Sequence, residues 1–279
     1  MLHAEKYIQG SGGLRLFTHR HEADAPKGAV AILHGYCEHS LRYGHVIEKL
    51  CGAGLSCYLL DHRGHGKSEG QRAAVLRFEE YLEDLDLFLQ DVRGFYPAGP
   101  LFLLGHSMGG LIAVNYVLTR KPALAGVVLS SPYLGLKAAV PAWKEALGKF
   151  MSRVWPSLSL KSELDPHLLS HDERVVQEYI ADPTVSKIAN ARWFTESTAA
   201  QEFCLDQASR WTLPALIMHG GDDRIADPQK TRRFAELIGG GESKFAMLDG
   251  LYHEIFNEHG REKPIQLALD WLGGRLTEG

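Results

Sequence analysis

The sequence predicts an α/β fold, a mostly parallel central sheet flanked by helices and interrupted by one helical insertion. Three observations carry this. Short apolar runs recur and end in glycine or polar turn residues, as strands covered on both faces do. Between them lie stretches with apolar residues at helical spacing. The alternation is that of a doubly wound sheet, and it breaks once, for 81 residues between Ser131 and Leu213.

The elements follow in order. Residues 7–9 and 14–19 flank Gly10-Ser11-Gly12-Gly13, the composition of a hairpin turn. The runs 29–33, 55–60, 101–104, 125–129, 215–218 and 244–248 read as strands of the sheet. Residues 78–95 are apolar at 78, 81, 82, 85, 88, 89, 92 and 95, which is helical spacing. Residues 107–118 are too apolar to show a face, as suits a buried central helix. Residues 229–238 and 263–272 are amphipathic. In the insertion, Trp143, Leu147, Phe150, Met151 and Val154 fall at helical spacing with Lys144, Lys149 and Arg153 between them, and a second pattern at 175–180 precedes Asp182-Pro183. An insertion after a strand sits above the carboxyl ends of the sheet, where open α/β sheets bind ligands. The expected division is a core of 1–131 and 209–279 and a helical cap of 132–208.

Composition narrows the function. Apolar content of 45% and charged content of 23% exclude disorder. The net charge of -4 has the wrong sign for a nucleic-acid partner. A chain of 279 residues buries about three quarters of its unfolded surface and needs no metal or disulfide staple. Four cysteines stand at 37, 51, 57 and 204 without metal or redox spacing. They read as reduced thiols, hence a cytoplasmic protein. The opening residues lack the apolar stretch of a secretory signal. Residues 94–119 carry no Asp, Glu, Lys or Arg, but Pro97, Pro100 and five glycines fit a strand, a sharp turn and a helix better than a membrane span.

Gly105-His106-Ser107-Met108-Gly109 follows one apolar run and opens a helix, the context a nucleophile elbow requires. Ser107 has to sit on a strained turn, and side chains two before or two after it would collide, so Gly105 and Gly109 lack them. Gly110 lets the helix approach its neighbours. A serine hydroxyl needs a base oriented by a third group, and in this arrangement the acid and then the histidine follow late strands. The run 215–218 leads into Gly220-Gly221-Asp222-Asp223-Arg224, and 244–248 leads into Gly250-Leu251-Tyr252-His253-Glu254. His253 is the candidate base, with His259 reading as a solvated loop residue. Asp223 is the candidate acid and Asp222 its rival. The oxyanion donors are the amides of Met108 and, in His34-Gly35-Tyr36, of Tyr36. Asp61-His62-Arg63-Gly64-His65-Gly66-Lys67-Ser68 reads as a Gly-rich loop tying down its neighbours. The chain has 14 histidines but no H-E-x-x-H signature, so neither a metal nor a cofactor is expected.

Together these motifs, with Glu38-His39-Ser40-Leu41-Arg42-Tyr43, resemble the monoacylglycerol lipase and lysophospholipase branch of the α/β-hydrolases, over about residues 5–273. The resemblance implies a triad of Ser107, Asp223 and His253, the acid standing directly before Arg224, and an oxyanion hole at Tyr36 and Met108. It also implies an alcohol pocket shaped by Arg42, His106 and Tyr179. The sequence departs from the family at Cys37, where glycine is frequent, and at Val175, where the eukaryotic lipases often carry an acid. The expected activity is hydrolysis of a lipid-like monoester, a monoacylglycerol, through an acyl-enzyme. Alternatives are a lysophospholipase or general carboxylesterase and, in another class, a non-enzymatic ligand receptor. The stripe along 143–154 either packs on the sheet or touches lipid, which would make the protein peripheral to a membrane.

Overall fold

The computed structural model describes residues 2–138, 140–162, 164–238 and 242–276. Eight strands form one sheet: β1 (Leu2–Gln9), β2 (Arg15–Glu22), β3 (Gly28–Leu33), β4 (Leu55–Leu60), β5 (Leu101–His106), β6 (Gly126–Ser130), β9 (Ala215–Gly220) and β10 (Lys244–Leu248). Their order is β1-β2-β4-β3-β5-β6-β9-β10. Only the β1–β2 and β2–β4 pairs are antiparallel; the others are parallel. The expected hairpin and all six expected strands are present, most of them one to several residues longer than their apolar runs.

Alternate residues of each central strand enter different cores, because successive side chains point to opposite faces. Ala29, Ala31, Leu33, Leu101, Leu103, Val127 and Leu129 pack against α2 (Glu79–Phe95) and α3 (Met108–Arg120). Val30, Ile32, Phe102, Leu104 and Val128 pack against α1 (Gly44–Gly52) and α8 (Glu262–Leu276). Helix α7 (Pro228–Leu237) joins the first face through the buried Phe234. Between β6 and β9 the chain forms α4 (Ala142–Val154), β7 (Ser159–Lys161), α5 (Glu173–Ala181), β8 (Ile188–Asn190) and α6 (Ala191–Asp206), with β7 and β8 paired antiparallel. No described helix is long and apolar enough to cross a membrane.

The turn from β5 to α3 is tightly packed. Ser107 adopts φ 50° and ψ -115°, a region that costs an L-residue about 1–3 kcal/mol. A Cβ on Gly105 would lie 2.5 Å from the Gly109 carbonyl oxygen, and one on Gly109 would lie 2.3 Å from that of Leu33. One on Gly110 would lie 2.8 Å from Pro132 Cβ. The glycines are therefore required by backbone crowding between β3, β5, α3 and the segment after β6. Gly109→Ala should lower the unfolding free energy by about 1–3 kcal/mol through overpacking. Gly148→Ala, on α4 with no atom within 4 Å of the new Cβ, should raise it by about 0.5–1 kcal/mol. Urea unfolding of both variants measures the contrast; equal midpoints would refute the crowding argument.

Candidate active site

The carboxyl ends of β5, β9 and β10 bring three side chains together from 146 positions apart in sequence. Ser107 Oγ lies 2.8 Å from His253 Nε2, and His253 Nδ1 lies 2.7 Å from Asp223 Oδ2. All three are buried. Asp223 is fixed from several sides: its Oδ1 accepts the amides of Ile225 and Ala226 at 2.8 and 3.0 Å. Its Oδ2 also faces His219 Nε2 at 3.0 Å. Asp222 is exposed and only its backbone is engaged, with Leu251. The choice between the two aspartates thus follows from geometry. His259 is exposed near Asp172, away from this group.

The charges are set by the same contacts. Burial disfavours the Asp223 carboxylate, but the charge of His253 and the hydrogen bonds from His219 and His253 outweigh it and hold its pKa well below the usual range. Burial opposes protonation of His253, while Asp223 favours it more, so the imidazole titrates above its ordinary value of 6.5. Beside it, burial and the charge of His253 push His106 down to about 4. One ring of this pair is thus poised to take a proton and the other stays neutral.

Met108 opens α3 immediately after Ser107, and its amide belongs to the electropositive end of that helix. Tyr36 lies in the loop after β3. Gly35 in that loop is close enough to Ser107 that a Cβ there would meet Ser107 Cβ at 3.2 Å. The loop is pinned by Glu38, whose Oε1 accepts the Gly35 amide at 2.6 Å and the Tyr43 hydroxyl at 2.9 Å. Cys37 has φ 66°, the left-handed conformation that explains why glycine suits this position elsewhere. The ring of Tyr36 stacks on Trp193 at 3.6 Å.

A cavity of about 510 Å³ opens at Ser107 and His253, a size typical of small-molecule sites. Its walls are largely apolar, with Leu136, Val140, Leu164, Leu168, Phe194 and Ile225, and carry Lys144, Asp165 and Arg224 as well. Near the serine stand Glu38, His106, Tyr179 and Glu254. Of the three residues expected in the alcohol pocket, His106 and Tyr179 line this cavity. Arg42 stands behind it: its guanidinium meets Glu38 at 2.7 Å and both oxygens of Glu254 at 2.6 and 2.8 Å. It also lies over the Tyr179 ring at 5.1 Å. Glu38 and Glu254, not in the expected pocket, present the carboxylates. The signal for them was local: Glu38 and Arg42 are four apart, and Glu254 directly follows the candidate base.

The Gly-rich loop after β4 ties down its neighbours as expected. Asp61 accepts the amides of Ser40 and Lys67 at 2.8 Å each. Arg63 bonds Asp84 through Nε at 2.6 Å and Nη2 at 2.8 Å, and Glu80 through Nη1 at 2.7 Å.

A base that must be neutral works only above its pKa. The kcat/KM profile for ester hydrolysis should therefore rise with pH through a midpoint above 6.5. Asp223→Asn should lose about 10⁴-fold in rate by favouring the wrong imidazole tautomer, with its remaining limb moved to lower pH. Asp222→Asn should stay near wild type. Steady-state profiles of the three proteins measure this, and a larger loss in Asp222→Asn would shift the acid by one residue.

Comparison with known proteins places this geometry. Residues 24–260 match the Hydrolase_4 family, described as serine aminopeptidase, S33. The chain is 31% identical to a monoacylglycerol lipase of Mycolicibacterium smegmatis, over 98% of each protein. It is 31% identical to the phospholipase YtpA of Bacillus subtilis, over 88% of this chain and 95% of that one. The crystal structure of Paleococcus ferrophilus monoacylglycerol lipase superposes with a TM-score of 0.86 at 34% identity, over 93% of this chain and 99% of that one. The chain belongs to this hydrolase family, in the α/β-hydrolase branch that holds the monoacylglycerol lipases.

Proposed function

We propose that the protein is a serine ester hydrolase that cleaves monoacylglycerols to fatty acid and glycerol. The observation that carries this is one largely apolar cavity that opens on the Ser107–His253–Asp223 chain, with polar side chains beside the serine. Ser107 Oγ attacks the ester carbonyl as His253 Nε2 takes its proton. Asp223 holds the ring by Nδ1 and stabilises the imidazolium. The tetrahedral oxyanion is held by the amides of Met108 and Tyr36, each such donor contributing about 10²–10³ in rate. His253 then protonates the departing glycerol oxygen. Water, deprotonated by the same nitrogen, releases the fatty acid from Ser107. No cofactor takes part in these steps.

Head-group preference rests on charge. Burial disfavours the Glu38 carboxylate, but Arg42 and the nearby imidazoles bring its pKa to about 2. Glu38 and Glu254 both pair with Arg42, so two carboxylates share one guanidinium beside the serine, while Lys144 and Arg224 line other parts of the cavity. A neutral polyol can hydrogen-bond beside the serine with His106 and Tyr179, whereas a phosphate there faces the two carboxylates. Each buried CH₂ of the acyl chain adds about 0.8 kcal/mol along the apolar walls.

We assign 132–208 as the cap over this cavity and its outer helix as a peripheral membrane contact. On α4, Trp143, Leu147, Phe150 and Val154 are 64%, 50%, 58% and 63% exposed, so packing on the sheet does not account for the stripe. Exposed Lys149 and Arg153 flank it, as on helices that lie at lipid surfaces. The four unpaired cysteines suit a reducing compartment.

A hydrolysis panel tests the substrate: long-chain monoacylglycerol should exceed di- and triacylglycerol and matched lysophosphatidylcholine. Lysophosphatidylcholine as the best substrate would make the enzyme a lysophospholipase, and preference for acetate esters a general carboxylesterase. Ser107→Ala should fold normally and lose about 10⁴-fold or more; full fluorophosphonate labelling of wild type separates an enzyme from a receptor. For the membrane, anionic vesicles should sediment wild type and leave Phe150→Glu in solution. Equal recovery of both in the supernatant would reduce α4 to a lid.

A further inference from the structure

Three histidines outside the triad converge on the outer hairpin. His3 on β1 stands opposite His21 on β2, and Glu5 opposite His19. Their alternation puts all four on one face of the sheet. The ligating nitrogens of His3, His19 and His21 lie within 4.8 Å of one another. His19 Nδ1 is 3.1 Å from His21 Nε2. The His3 ring stacks on that of His21 at 4.4 Å, and its Nε2 is 3.9 Å from the Glu5 carboxylate.

A count of protons orients the central ring. Ser40 Oγ donates its only hydrogen to Asp61 Oδ1 at 2.6 Å. It can therefore only accept from His19 Nε2, 3.0 Å away. His19 Nε2 thus carries a hydrogen, and in the neutral ring Nδ1, the atom facing His21, is a bare lone pair. A histidine whose second nitrogen is fixed by a hydroxyl and a carboxylate is the usual arrangement of a metal ligand. His21 Nδ1 is buried and has no partner, so apart from the contact with His19 nothing dictates which nitrogen of that ring holds the proton.

We propose that His3, His19 and His21 form a binding site for a divalent first-row transition cation, with zinc the type ion. An all-imidazole set suits zinc, copper and nickel rather than magnesium or calcium. Two nitrogens on one tetrahedral zinc, each at about 2.0–2.1 Å, stand about 3.3–3.4 Å apart, close to the 3.1 Å between His19 and His21. His3 completes the set with a shift of about 1.5 Å or less, within the swing of a half-exposed side chain. The fourth position falls to water or to Glu5. Bound there, the cation ties the outermost strand, β1, to β2. Through Ser40 and Asp61 it also braces the segment that leads from the Tyr36 loop into α1.

The test uses chelator-treated full-length protein, titrated with zinc by calorimetry and with cobalt(II) by absorption. Wild type should bind one zinc per chain, give the intense visible bands of tetrahedral cobalt, and unfold at a higher temperature with zinc. The double variant His3→Gln/His21→Gln should bind at least 100-fold more weakly and show no zinc-dependent shift. Its unfolding temperature without metal should match wild type, which separates loss of ligands from loss of fold. Ser40→Ala, which leaves all three ligands in place, should weaken binding about 10–100-fold. Absence of stoichiometric zinc on wild type at micromolar concentration, or zinc binding in the double variant equal to wild type, would overturn the site.

Discussion

Ser107 is held at φ 50° by backbone on every side. Its amide donates to the Ser130 carbonyl at 3.0 Å, and its own carbonyl accepts from Leu111 and Tyr133 at 3.0 and 2.9 Å. These bonds join β5, β6 and α3 at one residue, and Gly105, Gly109 and Gly110 let them close. The strain of one residue is met by contacts spread across the centre of the sheet. The hydroxyl consequently projects from a rigid base, and the helix beginning at Met108 points its free amides at the same place. A serine on a relaxed loop would need to order itself at each turnover; here that ordering is made during folding.

Charge burial is the second constraint. Asp223, Glu38, Arg42 and Glu254 all stand within or beside the cavity with little access to water. A buried ion without a partner costs several kcal/mol, so each is paired. Asp223 has two histidines and two amides; Glu38 has Arg42, an amide and a tyrosine. Arg42 is thereby committed to structure. It orders the two carboxylates and the ring of Tyr179, which in turn face the cavity. Arg42, which the family resemblance associates with the alcohol pocket, thus meets the cavity only through Glu38, Glu254 and Tyr179.

What the sequence reveals follows from how local the cause is. Strands β4 and β10 coincide with their apolar runs because turn-forming or polar residues bound them, Gly54 and Asp61 for β4 and Ser243 and Asp249 for β10. The elbow is legible because its glycines answer contacts made within a few residues. Helix α6 is not legible: its buried face carries Ser197, Ala200, Gln201 and Cys204 beside Trp193, so no apolar stripe marks it. Helix α1 is nine residues long with glycine at both ends. Strands β7 and β8 have three residues each and depend on pairing across the insertion. The histidine cluster is invisible to spacing rules because His3 and His21 meet only through the register of the hairpin.

The insertion is fastened unevenly, and this bears on its exposed stripe. Its later half is bound to the core beside Ser107. His39 meets Asp182 at 2.7 Å, the Ser186 amide donates to the Cys37 carbonyl at 2.8 Å, and Arg72 donates to the Thr184 carbonyl at 2.9 Å. Glu196 accepts the Phe78 amide at 2.9 Å, and α6 reaches the core with Trp193, Ala200 and Cys204. Helix α4 instead rests on α6, with Ser152 and Thr195 bonded at 2.7 Å as its buried polar contact. Tyr179, Ala189, Trp193 and Phe194 of the fastened half line the cavity at Ser107, and Val140, Pro141 and Lys144 at the start of the outer helix line it too. The outer helix contributes little to the buried core, so its outward residues are free of packing demands. Nothing beneath the helix requires large apolar side chains there, and a run of them exposed on one helix is the kind of surface that marks an interaction site.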